Sequence, residues 1–527
     1  MEHKRIYILL PLIIGVAMFC GFYIARFTGM SANNSADSKD KLTALMELLE
    51  TEYVDSVSRN EIIESIIPFV LEKLDPHSSY IVPEDYNEIQ DPIRGSFEGI
   101  GVQFNVKNDT IVIMQIISGG PSEKVNIKAG DRIVTINDSV VAGIGITNDN
   151  VVKLLKGPKG TKVKVGIRRG KQTKLLDFVI TRDKIPFNSI DAAYMIEPKT
   201  GYIKISRFAA TTPEEYSEHI TKLRSQGMTR IIIDLRENGG GVLGSAIFLA
   251  NEFLHKKDVI VYTQGKAHAP QYYHADGKGT CQDLAVAVLI NEYSASASEI
   301  FAGAIQDNDR GIIVGRRSFG KGLVNRDFMF ADSSMVRLTI QKFYSPSGRC
   351  IQKPYSDKKS DYANELIERY AHGEMQIKDS IHFPDSLIYK TKGGKTVYGG
   401  GGIMPEFFVP IDTSGYSELY SDLIQQSIIY DFAFEWSDSH RAKLSTYKQL
   451  SQFESYVKTQ QLWNSLLTYA YSKNIQASRT DILVSKHRIE SQLYAYIARN
   501  IFGESEFYMI INRDDSTIRK ALQELNK

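Results

Sequence analysis

The 527-residue chain carries a formal net charge of +1, with 24% charged and 43% hydrophobic residues. That length exceeds one ordinary core and predicts three or four domains, while the near-neutral balance excludes both a basic field for nucleic acid and an acidic disordered chain. Beyond residue 20 the only cysteines are Cys281 and Cys350, too few for a disulfide framework and without the C-x-x-C spacing of a zinc site.

In chain order, Lys4 and Arg5 precede nineteen uncharged residues, Ile6 to Ile24, about the length of a bilayer-spanning helix. The run is longer than a signal-peptide core and no small-x-small cleavage pattern closes it, so residues 1–26 are expected to form a retained membrane anchor. Bulky Met18 and Phe19 before Cys20 argue against a lipidated cysteine. The short basic flank predicts that everything after the anchor lies outside the cytoplasm, in the periplasm or an equivalent compartment. Small polar residues make 27–41 a flexible tether. Leu42, Leu45, Met46, Leu49, Ile62, Ile63, Ile66 and Val70 recur at helical spacing, predicting amphipathic helices within 42–94.

From 95 to 183 the pattern becomes short β-rich runs, at 111–117, 132–136, 162–167 and 175–180, separated by glycine and Asn-Asp turns. Residues 184–412 then alternate strands (201–205, 231–235, 284–290, 312–314) with helices (213–226, 243–254, 296–308), which predicts helices packed on a largely parallel sheet. Residues 413–527 read as a helical appendage without a chemical motif. No nucleotide-binding G-x-x-x-x-G-K-[ST] run is present.

Three segments of the α/β region could carry chemistry. In Asn291-Glu-Tyr-Ser-Ala-Ser-Ala-Ser-Glu299, the pattern Ser296-x-x-Glu299 satisfies a helix capping box. The same geometry exposes a serine hydroxyl beside the free amides of a helix start, where a nucleophile and its oxyanion donors could sit. The serine needs a base, and no G-x-S-x-G elbow or histidine triad pattern supplies one. Lys321, in Ser318-Phe-Gly-Lys-Gly322, is the better candidate, because desolvation between glycines would favour its neutral amine. The third segment, Asp234-Leu-Arg-Glu-Asn-Gly-Gly-Gly241, runs from a buried strand into a glycine turn that suits either a phosphate nest or an oxyanion hole.

Together with Leu74-Asp-Pro-His-Ser-Ser-Tyr80, Gly95-Ser-Phe-Glu-Gly-Ile-Gly101, Gly130-Asp-Arg-Ile-Val-Thr-Ile-Asn137, Gly201-Tyr-Ile-Lys-Ile205 and Gly402-Ile-Met-Pro405, these segments resemble the carboxyl-terminal processing (tail-specific) proteases over about residues 42–412. The resemblance implies a multidomain α/β protein: a crotonase-like serine protease core (184–412), an inserted PDZ domain (95–183), an N-terminal helical segment and a C-terminal helical region. It implies Ser296 as nucleophile, Lys321 as general base, and the Ala297 amide with one from Gly239 or Gly240 as oxyanion donors. No metal or other cofactor is implied. Where the family has Gln orienting the lysine, this sequence has Asn325, one methylene shorter.

By the same resemblance, the PDZ loop Gly99-Ile100-Gly101 would receive the terminal carboxylate of a protein tail, with Arg168 as a further contact. The implied partners are proteins with flexible apolar C-termini and, through the anchor, a membrane; nucleic acid is not among them, and homo-oligomerisation is left open. Two other functions fit the same outline, a noncatalytic tail-binding adaptor and a small-molecule binder built on the same core.

Overall fold

The computed structural model describes residues 36–117, 119–170, 172–355 and 359–527. The expected anchor at 1–26 lies outside them, and among the described residues no helix is long and apolar enough to cross a membrane. The chain divides into two compact units, residues 1–80 and 81–527.

The first unit contains two helices, Ala36–Glu52 and Arg59–Glu72. The first begins inside the stretch expected as a tether. The second starts at Ser58, whose side chain accepts from the Glu61 amide, satisfying one of the orphan donors of the helix start.

In the second unit, the PDZ region is a β-module with strand order Val102–Lys107, Thr110–Ile116, Arg132–Ile136, Lys162–Arg168, Leu176–Thr181, plus a helix at Asn148–Leu155. Alternation buries Ile111, Ile113, Ile133, Val163, Val165 and Ile167 on one face, where Val151 and Leu155 of the helix close the core. The strand 102–107 and this helix escaped the sequence reading. Strand 102–107 mixes Val, Phe, Gln, Asn and Lys, and the helix is only two turns long.

The α/β core is a six-stranded sheet ordered Ile190–Glu197, Thr200–Ile205, Arg230–Asp234, Ala285–Ile290, Ile312–Gly315, Phe407–Phe408. Its first pair is antiparallel and the remaining pairs are parallel, as the strand–helix alternation predicts. Helices Thr212–Ser225, Leu243–Phe253 and Ala297–Asp307 cover one face through Tyr216, Leu249, Phe253, Phe301 and Ile305. An antiparallel sheet built on Val259–Gly265, His268–His274, Leu323–Met329 and Met335–Tyr344 joins this core; those polar and aromatic runs gave no clear sequence signal.

The C-terminal region is not a separate appendage. Helices between Glu418 and Ile501 form their own core around Leu423, Phe453, Leu466, Ile489 and Leu493. Helix Ser516–Leu525 instead lays Ile518 and Ala521 on the second face of the six-stranded sheet, against Tyr202, Ile232, Leu289 and Val314. The same region holds the PDZ module: Phe434 packs on Val112 and Met114, flanked by ion pairs Lys107–Glu435 (2.7 Å) and Arg132–Asp438 (2.9 Å).

Candidate functional site

Ser296 stands between strand Ala285–Ile290 and helix Ala297–Asp307, at φ 55° and ψ −113°. For a residue with a Cβ this left-handed conformation costs about 1–3 kcal/mol and persists only where surrounding bonds over-determine it. They do here: Ser294 Oγ accepts from the Asn291 amide (3.0 Å) and donates to the Leu235 carbonyl (2.8 Å). The Ala295 amide donates to the Asn238 carbonyl at 3.0 Å. The Glu299 amide meets the Ser296 carbonyl at 2.9 Å, and the Ser296 side chain makes no capping bond. Of the expected capping box, the Glu299 half is a direct bond, its Oε2 accepting from the Ser296 amide at 2.8 Å.

Glu299 ties this turn to the lysine loop. Its Oε2 accepts from the backbone amides of Ser296 and Lys321, both at 2.8 Å. Its Oε1 accepts from Ser318 Oγ (2.5 Å) and the Gly320 amide (2.7 Å). The carboxyl group is 1% exposed, and burial pushes its pKa up to about 7 even against these four donors. The loop is fastened from outside as well: the Phe319 amide donates to the Ser294 carbonyl at 3.0 Å. Arg369, from helix Lys359–Ala371, donates to the carbonyls of Ser318 (3.2 Å) and Arg317 (2.8 Å). The Lys353 ammonium lies over the Phe319 ring, 4.0 Å from its centroid. Lys321 itself is half-buried at the mouth of this loop.

The glycine turn after strand Arg230–Asp234 passes directly beneath Ser296. A Cβ placed on Gly240, at φ 101°, would lie 2.8 Å from Ser296 Cβ and 2.9 Å from the Ala297 nitrogen, so only glycine lets the two segments approach this closely. Asn238 staples them together. Its Nδ2 donates to the Ile205 carbonyl (2.9 Å), its Oδ1 accepts from the Gly240 amide (2.8 Å), and its carbonyl accepts from Ser298 Oγ (2.9 Å). The Gly240 amide is therefore occupied. The Gly239 and Ala297 amides donate to no acceptor among the described residues, and no heavy atom lies within 4 Å of a Cβ built on Gly239. At the base of the turn, burial alone would raise the Asp234 carboxyl, but the charges of Arg236 and Lys204 outweigh it and hold the group well below the usual carboxylate range.

On the PDZ module, an apolar cavity of about 280 Å³ lies between strand Val102–Lys107 and helix Asn148–Leu155, lined by Ile100, Val102, Phe104, Val152 and Leu155. Gly99 and Gly101 line it too, and the Ile100 and Gly101 amides donate to no acceptor among the described residues.

The model of peptidase family S41 matches residues 199–359 and that of the PDZ domain residues 99–179. A "probable CtpA-like serine protease" of Staphylococcus aureus is 31% identical over 346 residues, which is 65% of this chain and 68% of that protein. The chain belongs to the CtpA-like serine proteases of peptidase family S41. A second such protease, of Staphylococcus epidermidis, is 33% identical over 62% of this chain and 65% of its own length, so about a third of each relative lies outside the match. The solved photosystem II D1 C-terminal processing protease is 26% identical, covering 60% of this chain and 85% of that one, with a TM-score of 0.35. Residues 419–503 match a family of unknown function, DUF8443.

In this S41 chain, Asn325 Nδ2 donates to Thr339 Oγ1 at 3.0 Å beside a strand irregularity, and one residue singled out by sequence lies elsewhere than expected. Arg168 is exposed at the end of strand Lys162–Arg168, opposite Arg132, and does not line the PDZ cavity. The cation at that cavity is Lys156, which pairs with Asp91 at 2.9 Å and lies 5.1 Å from the Phe97 ring centroid. Asn238 and the tertiary role of Glu299 were not read from sequence. A hint was there: Glu299 falls three residues after Ser296, but its bonds to residues 318–321 are long-range.

Proposed function

We propose that this CtpA-like protease is a membrane-tethered, extracytoplasmic endopeptidase that captures protein C-terminal tails in its PDZ cavity and cleaves with a Ser296–Lys321 dyad. The observation that carries the reading is the single Glu299 carboxylate holding the backbones of both residues, beside two unengaged amides.

In the reaction, the neutral amine of Lys321 accepts the Ser296 hydroxyl proton as Oγ attacks the peptide carbonyl. The negative charge that develops on the carbonyl oxygen is met by the Ala297 and Gly239 amides. Lys321 returns its proton to the leaving amine, and water then releases the acyl group by the same proton path. The left-handed turn at Ser296 holds the nucleophile in place, so little reorganisation accompanies attack.

Tail capture is supported by the unengaged Ile100 and Gly101 amides beside an apolar cavity sized for one or two side chains: the amides suit a terminal carboxylate and the cavity an apolar last residue. Tethering and location are supported by the uncharged run Ile6–Ile24 with its basic flank.

The test is cleavage of an unfolded protein by the full chain in detergent, with the substrate ending in either an apolar or a charged tail. Faster cleavage of the apolar-tailed substrate, abolished by Ser296→Ala, is expected. Tail binding without Ser296-dependent cleavage would instead make the protein an adaptor.

A further inference from the structure

Arg236 stands three residues before Gly239 and is held by a residue from the far end of the chain. Its guanidinium grips Asp234 (Nε to Oδ1, 3.0 Å; Nη2 to Oδ2, 2.6 Å). Its Nη1 pairs with Asp515 Oδ2 at 2.7 Å. The Arg236 carbonyl accepts from the Lys204 ammonium. The next amide, of Glu237, donates to Asn291 Oδ1 at 3.0 Å, and Asn291 Nδ2 returns a bond to Glu237 Oε1 at 2.7 Å. One strut therefore runs from helix Ser516–Leu525 through Arg236 into the turn that presents the Gly239 amide.

Packing alone does not fix this guanidinium. Arg236 and Asp515 line a cavity of about 580 Å³ between the core and the C-terminal helices, shared with Arg316, Arg488 and Arg519. The Asp234 pair fixes the guanidinium plane from the sheet side, and the ion pair of Nη1 to Asp515 is the restraint that comes from the cavity side. Asp234 ties the guanidinium to the sheet, where Tyr202 Oη donates to its Oδ2 at 2.8 Å, but it makes no link to the C-terminal helices. Asp515 makes that link, and its helix is seated on the sheet by Ile518 and Ala521.

We propose that Asp515 is a positioning residue for catalysis: through Arg236 it holds the glycine turn so that the Gly239 amide stays aimed at the oxyanion, making the C-terminal helical region part of the catalytic apparatus. The inference rests on the Ser296 protease reading above. Oxyanion donors act over a few tenths of an ångström, and losing one outright costs about 10²–10³ in rate, so loosening the turn is expected to cost about tenfold.

Asp515 also caps its helix, with Oδ1 accepting from the Thr517 (2.8 Å) and Ile518 (2.9 Å) amides. Asn caps as well as Asp, so Asp515→Asn removes the negative charge that faces Arg236 while keeping the cap. Leu466→Ala weakens the separate core of the C-terminal helices without touching Arg236 or the helix that carries Asp515. The experiment measures kcat, KM and Tm of the full chain on a short peptide substrate for wild type, both variants and Ser296→Ala. The expected result is a kcat about tenfold lower in Asp515→Asn with KM and Tm near wild type, and in Leu466→Ala a lower Tm with kcat unchanged. Wild-type kcat in Asp515→Asn, or kcat falling in step with Tm in both variants, would overturn the role of Asp515 while leaving the protease reading intact. Wild-type cleavage that persists in Ser296→Ala would overturn both.

Discussion

The backbone amides of Ser296 and Lys321 donate to one and the same oxygen, Oε2 of Glu299, each at 2.8 Å. The spacing between nucleophile and base is thereby set by one carboxylate rather than by two independent loops. Replacing it with Gln leaves one acceptor oxygen and puts an NH₂ against amide donors on the other side. Glu299→Gln is therefore expected to lower kcat by about 100-fold with a much smaller change in KM, the signature of a misplaced base and nucleophile. Steady-state kinetics on a peptide substrate checks this; an unchanged kcat would show that the lysine loop holds its position without the carboxylate.

The same group gives a stability prediction with a definite sign. Burial raises the Glu299 carboxyl to about 7 from the ordinary 4.5, so between those values the folded protein binds a proton that the unfolded chain releases. The stabilisation this provides is fully present below pH 4.5 and is lost as pH rises through about 7. Glu299→Gln has no such titration. Thermal melts of both proteins across that range should show the wild type's advantage shrinking as pH rises. An advantage that grows would mean that the four donors outweigh desolvation and depress the carboxyl.

Neighbouring glycines of the turn should respond oppositely to the same substitution. At Gly240, a Cβ would meet the Ala295 carbonyl at 2.7 Å and Ser296 Cβ at 2.8 Å, on a backbone with φ 101°. Gly240→Ala is expected to push the turn off the nucleophile, lowering kcat by about 100-fold and Tm by several degrees. At Gly239 the added Cβ meets nothing within 4 Å, so Gly239→Ala should melt like the wild type and keep its amide. Differential scanning of the two variants checks the contrast, and equal destabilisation would contradict it.

In the PDZ cavity, Val152 is half-buried on helix Asn148–Leu155 and faces the apolar lining. Val152→Asp puts a carboxylate where an apolar side chain and a terminal carboxylate would arrive. Affinity for an apolar-tailed peptide is expected to fall at least about tenfold, measured by fluorescence anisotropy, with cleavage of a short untailed peptide unaffected. Unchanged affinity would place tail capture elsewhere.

Much of this architecture is legible in the residues. The core strands and helices run within a residue or two of their hydrophobic periods, because a doubly covered parallel strand such as Ala285–Ile290 must be apolar throughout. Ser296 and Lys321 stand out through their motifs. What sequence does not carry is tertiary. Ser296-x-x-Glu299 reads as a local capping box, and nothing local says that its carboxylate reaches residues 318–321. Ile518 and Ala521 form an ordinary amphipathic stripe, and no pattern declares that it seats on the protease sheet. Asn325 sits at the spacing the family motif implies, and its Nδ2 bond to Thr339 on the neighbouring strand is a contact that the motif does not declare. Arg168 and Arg169 are equivalent in sequence, but the strand register leaves Arg168 exposed while Arg169 pairs with buried Asp131 at 2.7 Å.

The most direct test of the dyad is mass spectrometry of the protein quenched with acid during turnover of an ester or peptide substrate. An acyl group on the peptide bearing Ser296 in the wild type, absent from both Ser296→Ala and Lys321→Ala while each still melts cooperatively, is the predicted result. Acylation at another residue, or undiminished acylation of Ser296 in Lys321→Ala, would contradict it.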